Sequence, residues 1–242
     1  MSVLVEYDLS ASGSLKKKLP LPALAHPLKT KGLMHKKIVV IDHALVLLGS
    51  ANLTASSLRH HANLVLGLHH PGLAAFLENP PSPTFTFYSH EQKGEIFLLP
   101  SSNEAGLARL IEAIALAKKR IRIAMFTLTH PTLATALILA KQRGVHVTVA
   151  VDYYTAKGAS KKTLAALQEQ GVEVILSQGR ELLHHKWALI DKETLVMGSA
   201  NWTKAAFSKN ADFLLFFSPL KKEQTVFLDK LWDIIESESV SN

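Results

Sequence analysis

The sequence predicts an α/β protein of two lobes, with mixed sheets flanked by helices. Three observations carry this expectation. Beyond Glu95, β-branched runs alternate with amphipathic helical runs, as strands covered on both faces require. A polar pattern, H-x-K-x4-D-x6-G-S-x-N, occurs twice, and each of its fixed residues lies 149 positions from its mate. Between the copies, Asn79-Pro80-Pro81-Ser82-Pro83 cannot continue a helix and suits an extended link. The expected division is a first half over residues 1–80 and a second lobe over 81–242.

Taken in order, Val3-Leu4-Val5 reads as a short strand, and the stretch from Lys16 to Pro27 as a loop with at most one helical turn. Ile38 to Asp42 is a β-branched run, expected to form a buried strand, with Ala44 to Leu48 a second strand. Asn52 to Arg59 suits a short helix, Asn63 to Leu68 a strand, and Pro71 to Glu78 a helix with proline in its first turn. Past the prolines, strands are expected at Glu95–Leu99, Ile121–Phe126, Val145–Val151 and Val172–Leu176. Helices are expected at Asn103–Lys118, Pro131–Arg143 and Lys161–Gln170, the last two stopped by Gly144 and Gly171. Trp187–Asp191, Thr194–Met197 and Asp212–Phe217 read as strands, and Leu220–Glu236 as a long amphipathic helix. Gly144 to Tyr153 resembles Met1 to Tyr7, whereas the segment before it, from Glu95, has no counterpart in the first half. The first half is therefore expected to be shortened at its start.

Composition narrows the chemistry. The chain has 242 residues and no cysteine, which excludes disulfides, thiolate nucleophiles and Cys-ligated zinc. A formal net charge of +7 favours anionic partners, whether nucleic acid or anionic lipid. Neither a signal peptide nor a spanning segment is legible, so a cytoplasmic or membrane-peripheral place is expected. There is no dinucleotide loop and no P-loop. His60-His61 and His69-His70 do not read as metal sites, because adjacent strand residues diverge. His185 is expected on the strand face opposite His184, and Trp202 in the core or at its rim. Lys118-Lys119-Arg120 and Lys161-Lys162 read as solvated faces.

The repeated pattern contributes His35, Lys37, Asp42, Gly49, Ser50 and Asn52 from the first copy. His184, Lys186, Asp191, Gly198, Ser199 and Asn201 come from the second. On these motifs the chain resembles the phospholipase D superfamily, and the second copy, with Trp202-Thr203 and Asn210-Ala211-Asp212, is most similar to the branch of small bacterial endonucleases and cardiolipin hydrolase. The resemblance implies two motifs meeting across a pseudo-twofold axis. It also implies a metal-independent phosphodiesterase that works through a phosphohistidine and needs no cofactor. Members of that branch usually carry one motif and dimerise. Here one chain has both, so a monomer suffices for a full site, and a homodimer is compatible.

The chemistry of the residues agrees. Phosphodiester cleavage needs a nucleophile, a proton donor for the leaving oxygen, and positive charge about the phosphate. Two imidazoles divide the first two tasks; the resemblance assigns His35 as nucleophile and His184 as acid. Lys37 and Lys186 supply charge, and Ser50, Asn52, Ser199 and Asn201 supply hydrogen bonds to the phosphate oxygens. Asp42 and Asp191 are expected to orient a histidine or pair with a lysine. In the family an Asn-x-Glu downstream supports a histidine. The second half offers Asn210-Ala211-Asp212 and the first only Asn63-Leu64-Val65, at a spacing two residues longer, so His35 is expected to lack an acid. Phospholipid hydrolysis with release of phosphatidate is the expected reaction, with peripheral membrane contact. Nucleic-acid cleavage, phosphatidyl transfer of the cardiolipin synthase kind, and a non-catalytic binding module are the rivals.

Overall fold

A computed structural model describes residues 5–8, 25–28, 31–178 and 181–241. In the first half, strands β1 (Val5–Asp8) and β2 (Ala25–Leu28) pair in parallel. They are followed by β3 (Ile38–Ile41), β4 (Leu45–Gly49), helix α1 (Ala55–His60), β5 (His61–Ala62), β6 (Val65–His69) and α2 (Pro71–Glu78). The second half runs β7 (Thr84–Ser89), β8 (Gln92–Leu99), α3 (Asn103–Leu116), β9 (Arg120–Met125), α4 (Pro131–Gln142) and β10 (His146–Asp152). It continues through α5 (Tyr153–Lys157), α6 (Lys161–Glu169), β11 (Glu173–Ser177), β12 (Leu182–Leu183), β13 (Lys186–Ile190) and β14 (Thr194–Gly198). It ends with α7 (Lys204–Ser208), β15 (Asp212–Ser218), α8 (Lys222–Ser237) and β16 (Ser239–Ser241).

The fold is α/β with mixed sheets. A nine-stranded sheet has the order β16-β11-β10-β9-β13-β14-β15-β8-β7. Its β11-β10-β9 segment is parallel and its other pairings antiparallel. A separate antiparallel sheet, β3-β4-β6, carries the first motif. Strand alternation sends side chains to two cores. On β15, Leu214 and Phe216 enter the core under α3, α4 and α6, with Leu110, Leu137 and Leu167. Phe213, Leu215 and Phe217 face the other core, which Trp187 and Trp232 share with Val46, Leu48, Leu68 and Leu73 of the first half. The small sheet and α8 therefore cover one face of the large sheet, which holds the two motifs at a fixed spacing.

The repeat extends beyond the motif. Adding 149 to β3 and β4 gives the positions of β13 and β14 to within one residue, and the parallel pairing of β1 with β2 corresponds to that of β10 with β11, though not at the same offset. In the second half β9 stands between β10 and β13; among the described residues no strand stands between β1 and β3.

Several elements differ from expectation. Ala25–Leu28 is a strand rather than loop, while 9–24 lie outside the described residues. Of Val3-Leu4-Val5 only Val5 is described, as the first residue of β1. Strand β3 is half-buried rather than buried, because it lies at the edge of its small sheet. Thr84–Ser89 is a further strand, not among those expected; its Phe85 and Phe87 alternate with Thr86 and Tyr88, which are exposed, and it closes the large sheet against β8. Gly144 and Gly171 stop their helices at φ +90 and +76, as their positions predicted. His70 is a helix cap: its Nδ1 accepts from Leu73 N at 2.9 Å. Trp202 is a core residue, 1% exposed.

Candidate active site

Each motif histidine sits just ahead of a hairpin, on a lead-in that is pinned to the other half. His35 N donates to Ala211 O at 2.8 Å, and Ala211 N to Leu33 O at 2.8 Å. Correspondingly, β12 pairs in parallel with β5, and His184 N donates to Ala62 O at 2.9 Å. These main-chain bonds bring together two histidines distant in sequence.

The side chains behind the rings are exchanged between halves. His35 Nδ1 is 2.7 Å from Asp212 Oδ1, whereas His184 Nδ1 is 3.0 Å from Asn63 Oδ1. The expectation that His35 lacks an acid is thus overturned: the acid of the second half serves the histidine of the first. The cause is register. Asn63 and Asp212 are themselves 149 apart, so the amide, not a missing acid, is the mate of Asp212. Asn63 corresponds to Asp212 and not to Asn210, so the two halves have the same spacing and no two-residue slip. His61 occupies the place of Asn210, and its ring centroid lies 5.8 Å from that of His184. In sequence His61 suggests at most a metal ligand, and the constant offset is the signal that places it here.

Both lysines are buried and fold back on their own histidine. Lys37 Nζ donates to His35 O at 2.6 Å and Lys186 Nζ to His184 O at 3.0 Å. Burial pushes Lys37 down to about 8, against the pull of the Asp212 carboxylate. Lys186 is lowered well below its ordinary value by burial and by Lys37, with Asp212 opposing. It also lies 5.2 Å from the centroid of the Phe126 ring, which packs 5.1 Å from His184. Burial, then Lys186, Lys37, His35 and His61, push His184 down to about 3. These are the electrostatics of one cluster with surplus positive charge, and an anion placed between the lysines would relieve it.

Other predicted site residues take different places. Ser50 and Ser199 are almost fully buried and do not offer their hydroxyls to a phosphate. Ser199 Oγ donates to Asp212 Oδ1 at 2.6 Å and accepts from Phe213 N at 3.1 Å. Ser50 Oγ does the same with Asn63 Oδ1 at 3.0 Å and Leu64 N at 3.1 Å. Each serine fixes the group behind a histidine. The glycines before them allow close approach of the strands: a Cβ on Gly49 would lie 2.1 Å from Leu64 O, and on Gly198 2.2 Å from Phe213 O.

Asp42 and Asp191 are at the far end of the hairpins, roughly 20 Å from the histidines at the rise of a strand. Both begin left-handed turns, at φ +50 and +52. Asp191 accepts from the backbone N–H of Lys118, Lys119 and Arg120 at 2.7–2.9 Å. Asp191 thus braces a turn through main-chain bonds, with Lys119 as a further electrostatic partner, away from His184 and Lys186. Asn52 and Asn201 are half-buried, and their side chains have no hydrogen bond among the described residues. His185 is fully buried against Trp187, with both ring nitrogens unpartnered, and burial then Lys186 push it down to about 3.

The sequence profile of the family described as "Cardiolipin synthase, PLD-like domain" matches residues 9–79 and 110–232. This chain belongs to that phospholipase D-like family. Among relatives, mouse mitochondrial cardiolipin hydrolase is 36% identical over 118 residues, 48% of this chain and 52% of that protein. The chain spans about half the length of such curated relatives. In structure, this phospholipase D-like chain is similar to NucT from Helicobacter pylori, at TM-score 0.59 and 27% identity, covering 63% of this chain and 100% of that one. Phosphatidylserine synthase from Haemophilus influenzae shares the fold across 100% of this chain and 75% of its own, at TM-score 0.79 and 13% identity. Among the described residues no helix is long and apolar enough to cross a membrane.

Proposed function

We propose that this chain hydrolyses phospholipid phosphodiesters through a covalent phosphohistidine, without a metal ion. One observation carries the reading: two histidines, one from each half, have Nδ1 fixed from behind by the other half and are flanked by two buried lysines. His35 is the nucleophile. Its Nδ1 proton is directed at Asp212, which leaves Nε2 free to attack phosphorus, and the carboxylate stabilises the cationic phosphoimidazole that forms. As the P–N bond forms, the P–O bond to the leaving alcohol breaks and His184 protonates the alcohol oxygen. The neutral His184 then takes a proton from water, whose oxygen displaces His35 and yields phosphatidate.

A proton held as weakly as that of His184 is readily given, and it is loaded when the substrate anion cancels the charge of Lys37 and Lys186. Asn52 and Asn201 have amides available for the phosphate oxygens. An alcohol in place of water would give phosphatidyl transfer from the same intermediate.

The net charge of +7 favours a second reading, nucleic-acid cleavage. Cardiolipin vesicles, bis(p-nitrophenyl) phosphate and labelled single-stranded DNA, each incubated with the chain in EDTA, separate the two. Release of phosphatidate is expected; cleavage of DNA alone would select the nuclease, and loss of all turnover in EDTA would refute the metal-free route. With His184→Asn, an alkali-stable, acid-labile phosphate should accumulate on His35.

A further inference from the structure

A cavity of about 660 Å³ lies between α5, α6 and β11, within the ~300–1,000 Å³ usual for ligand sites. A short chain of contacts links helix α5, in the cavity wall, to the candidate site. The carboxylate of Asp152, at the end of β10, caps α5 through Tyr154 N and Thr155 N; burial raises its pKa, and the backbone N–H groups of Thr155, Tyr154 and Leu183, the residue before His184, oppose that rise. Thr155 also donates to the carbonyl of Phe126, whose ring packs on His184. Tyr153, at the cavity mouth, immediately follows Asp152.

The lining has two characters. Its floor is aliphatic, with Leu164, Val174 and Leu176. Its rim has Lys157, the last residue of α5, and Lys161, the first of α6, and among the described residues no aspartate or glutamate lines it. Among the described residues neither lysine meets a carboxylate; Lys157 donates to the Tyr153 hydroxyl and lies 4.0 Å over its ring. An aliphatic trough with a cationic rim matches an amphiphilic anion. It does not match nucleobases, which need open aromatic faces, and the lysine already covers the face of Tyr153.

We propose that this groove holds the non-reacting part of the substrate, with an acyl chain along the floor and an anionic group between Lys157 and Lys161. The inference rests on the phospholipid reading of the two-histidine site and narrows it to anionic lipids. Ala165 lines the groove from an exposed position on α6, so Ala165→Trp would fill it without entering the core. Expected is a tenfold or greater loss of kcat/KM on cardiolipin vesicles, with bis(p-nitrophenyl) phosphate turnover held within twofold. Joint replacement of Lys157 and Lys161 by Ala should raise KM for cardiolipin severalfold and leave kcat near its starting value.

Unchanged lipid turnover in Ala165→Trp would overturn the proposal, as would an equal loss on both substrates. Binding of a fluorescent lysophosphatidate is the independent readout, and should be lost in Ala165→Trp. If the unmodified chain cleaves neither diester, the reading of the histidine site fails, while retained probe binding in Ala165→Trp would still refute the groove.

Discussion

Replacing Asp212 by Asn keeps the shape behind His35 and removes the charge. Asp212 Oδ1 faces His35 Nδ1 at 2.7 Å and receives Ser199 Oγ at 2.6 Å, with no exposure to solvent. A hydrogen bond to a charged partner contributes ~1.5–3 kcal/mol, against ~0.5–1.5 for a neutral one. The variant therefore forfeits about 1–2 kcal/mol where the phosphoimidazole develops its charge, a fall in kcat of about 5- to 30-fold. Initial rates on bis(p-nitrophenyl) phosphate measure this directly. The combined variant Asp212→Asn with Asn63→Asp moves the carboxylate from behind His35 to behind His184 at constant net charge. Peptide mapping of the quenched phosphoprotein should then find phosphate transferred from His35 to His184. An Asp212→Asn rate within twofold of the original, or phosphate remaining on His35 after the exchange, would refute the role given to the carboxylate.

Three other outcomes follow from the same geometry. Because Lys37 is pushed down to about 8, kcat/KM should fall as pH rises through about 8, and in Asp212→Asn, which loses the charge that raises Lys37, the fall should come at lower pH. Between pH 8 and the ordinary lysine value of 10.5 the unfolded chain binds the extra proton, so the buried cation opposes folding by up to about 3 kcal/mol at neutral pH. Lys37→Met should therefore raise the urea midpoint while abolishing turnover; a lowered midpoint would count against the burial argument. Gly198→Ala, whose Cβ would lie 2.2 Å from Phe213 O, should destabilise by on the order of 3 kcal/mol or more in the same titration.

Much of the second half was legible because its signals are local. Glycines close α4 and α6, proline opens α2 and α4, and β-branched runs fill the central strands. Short elements were not, since α5 and α7 have only five residues each and depend on caps from Asp152 and Thr203 rather than on periodicity. The histidines and lysines of the site could be read from their repeated spacing. What stands behind each histidine could not, because a spacing along the chain does not say which half packs behind which ring. Ser50 and Ser199 were misplaced for the same reason: a hydroxyl near the motif looks available for phosphate until its bonds to Asn63 and Asp212 are seen. Asp191 illustrates the converse, a motif residue whose carboxylate braces a turn.

The exchange of Asp212 and Asn63 between halves has an evolutionary consequence. In a dimer of identical units, every substitution lands behind both imidazoles at once, so the two can never diverge. Once the units share a chain, the two backing positions become separate loci, and one can hold an acid while the other holds an amide. Asp212 and Asn63 differ in this way, and the difference makes the two histidines chemically distinguishable. It also makes each half a custodian of the other's reactivity: a mutation scored in one repeat should show its phenotype at the histidine of its neighbour.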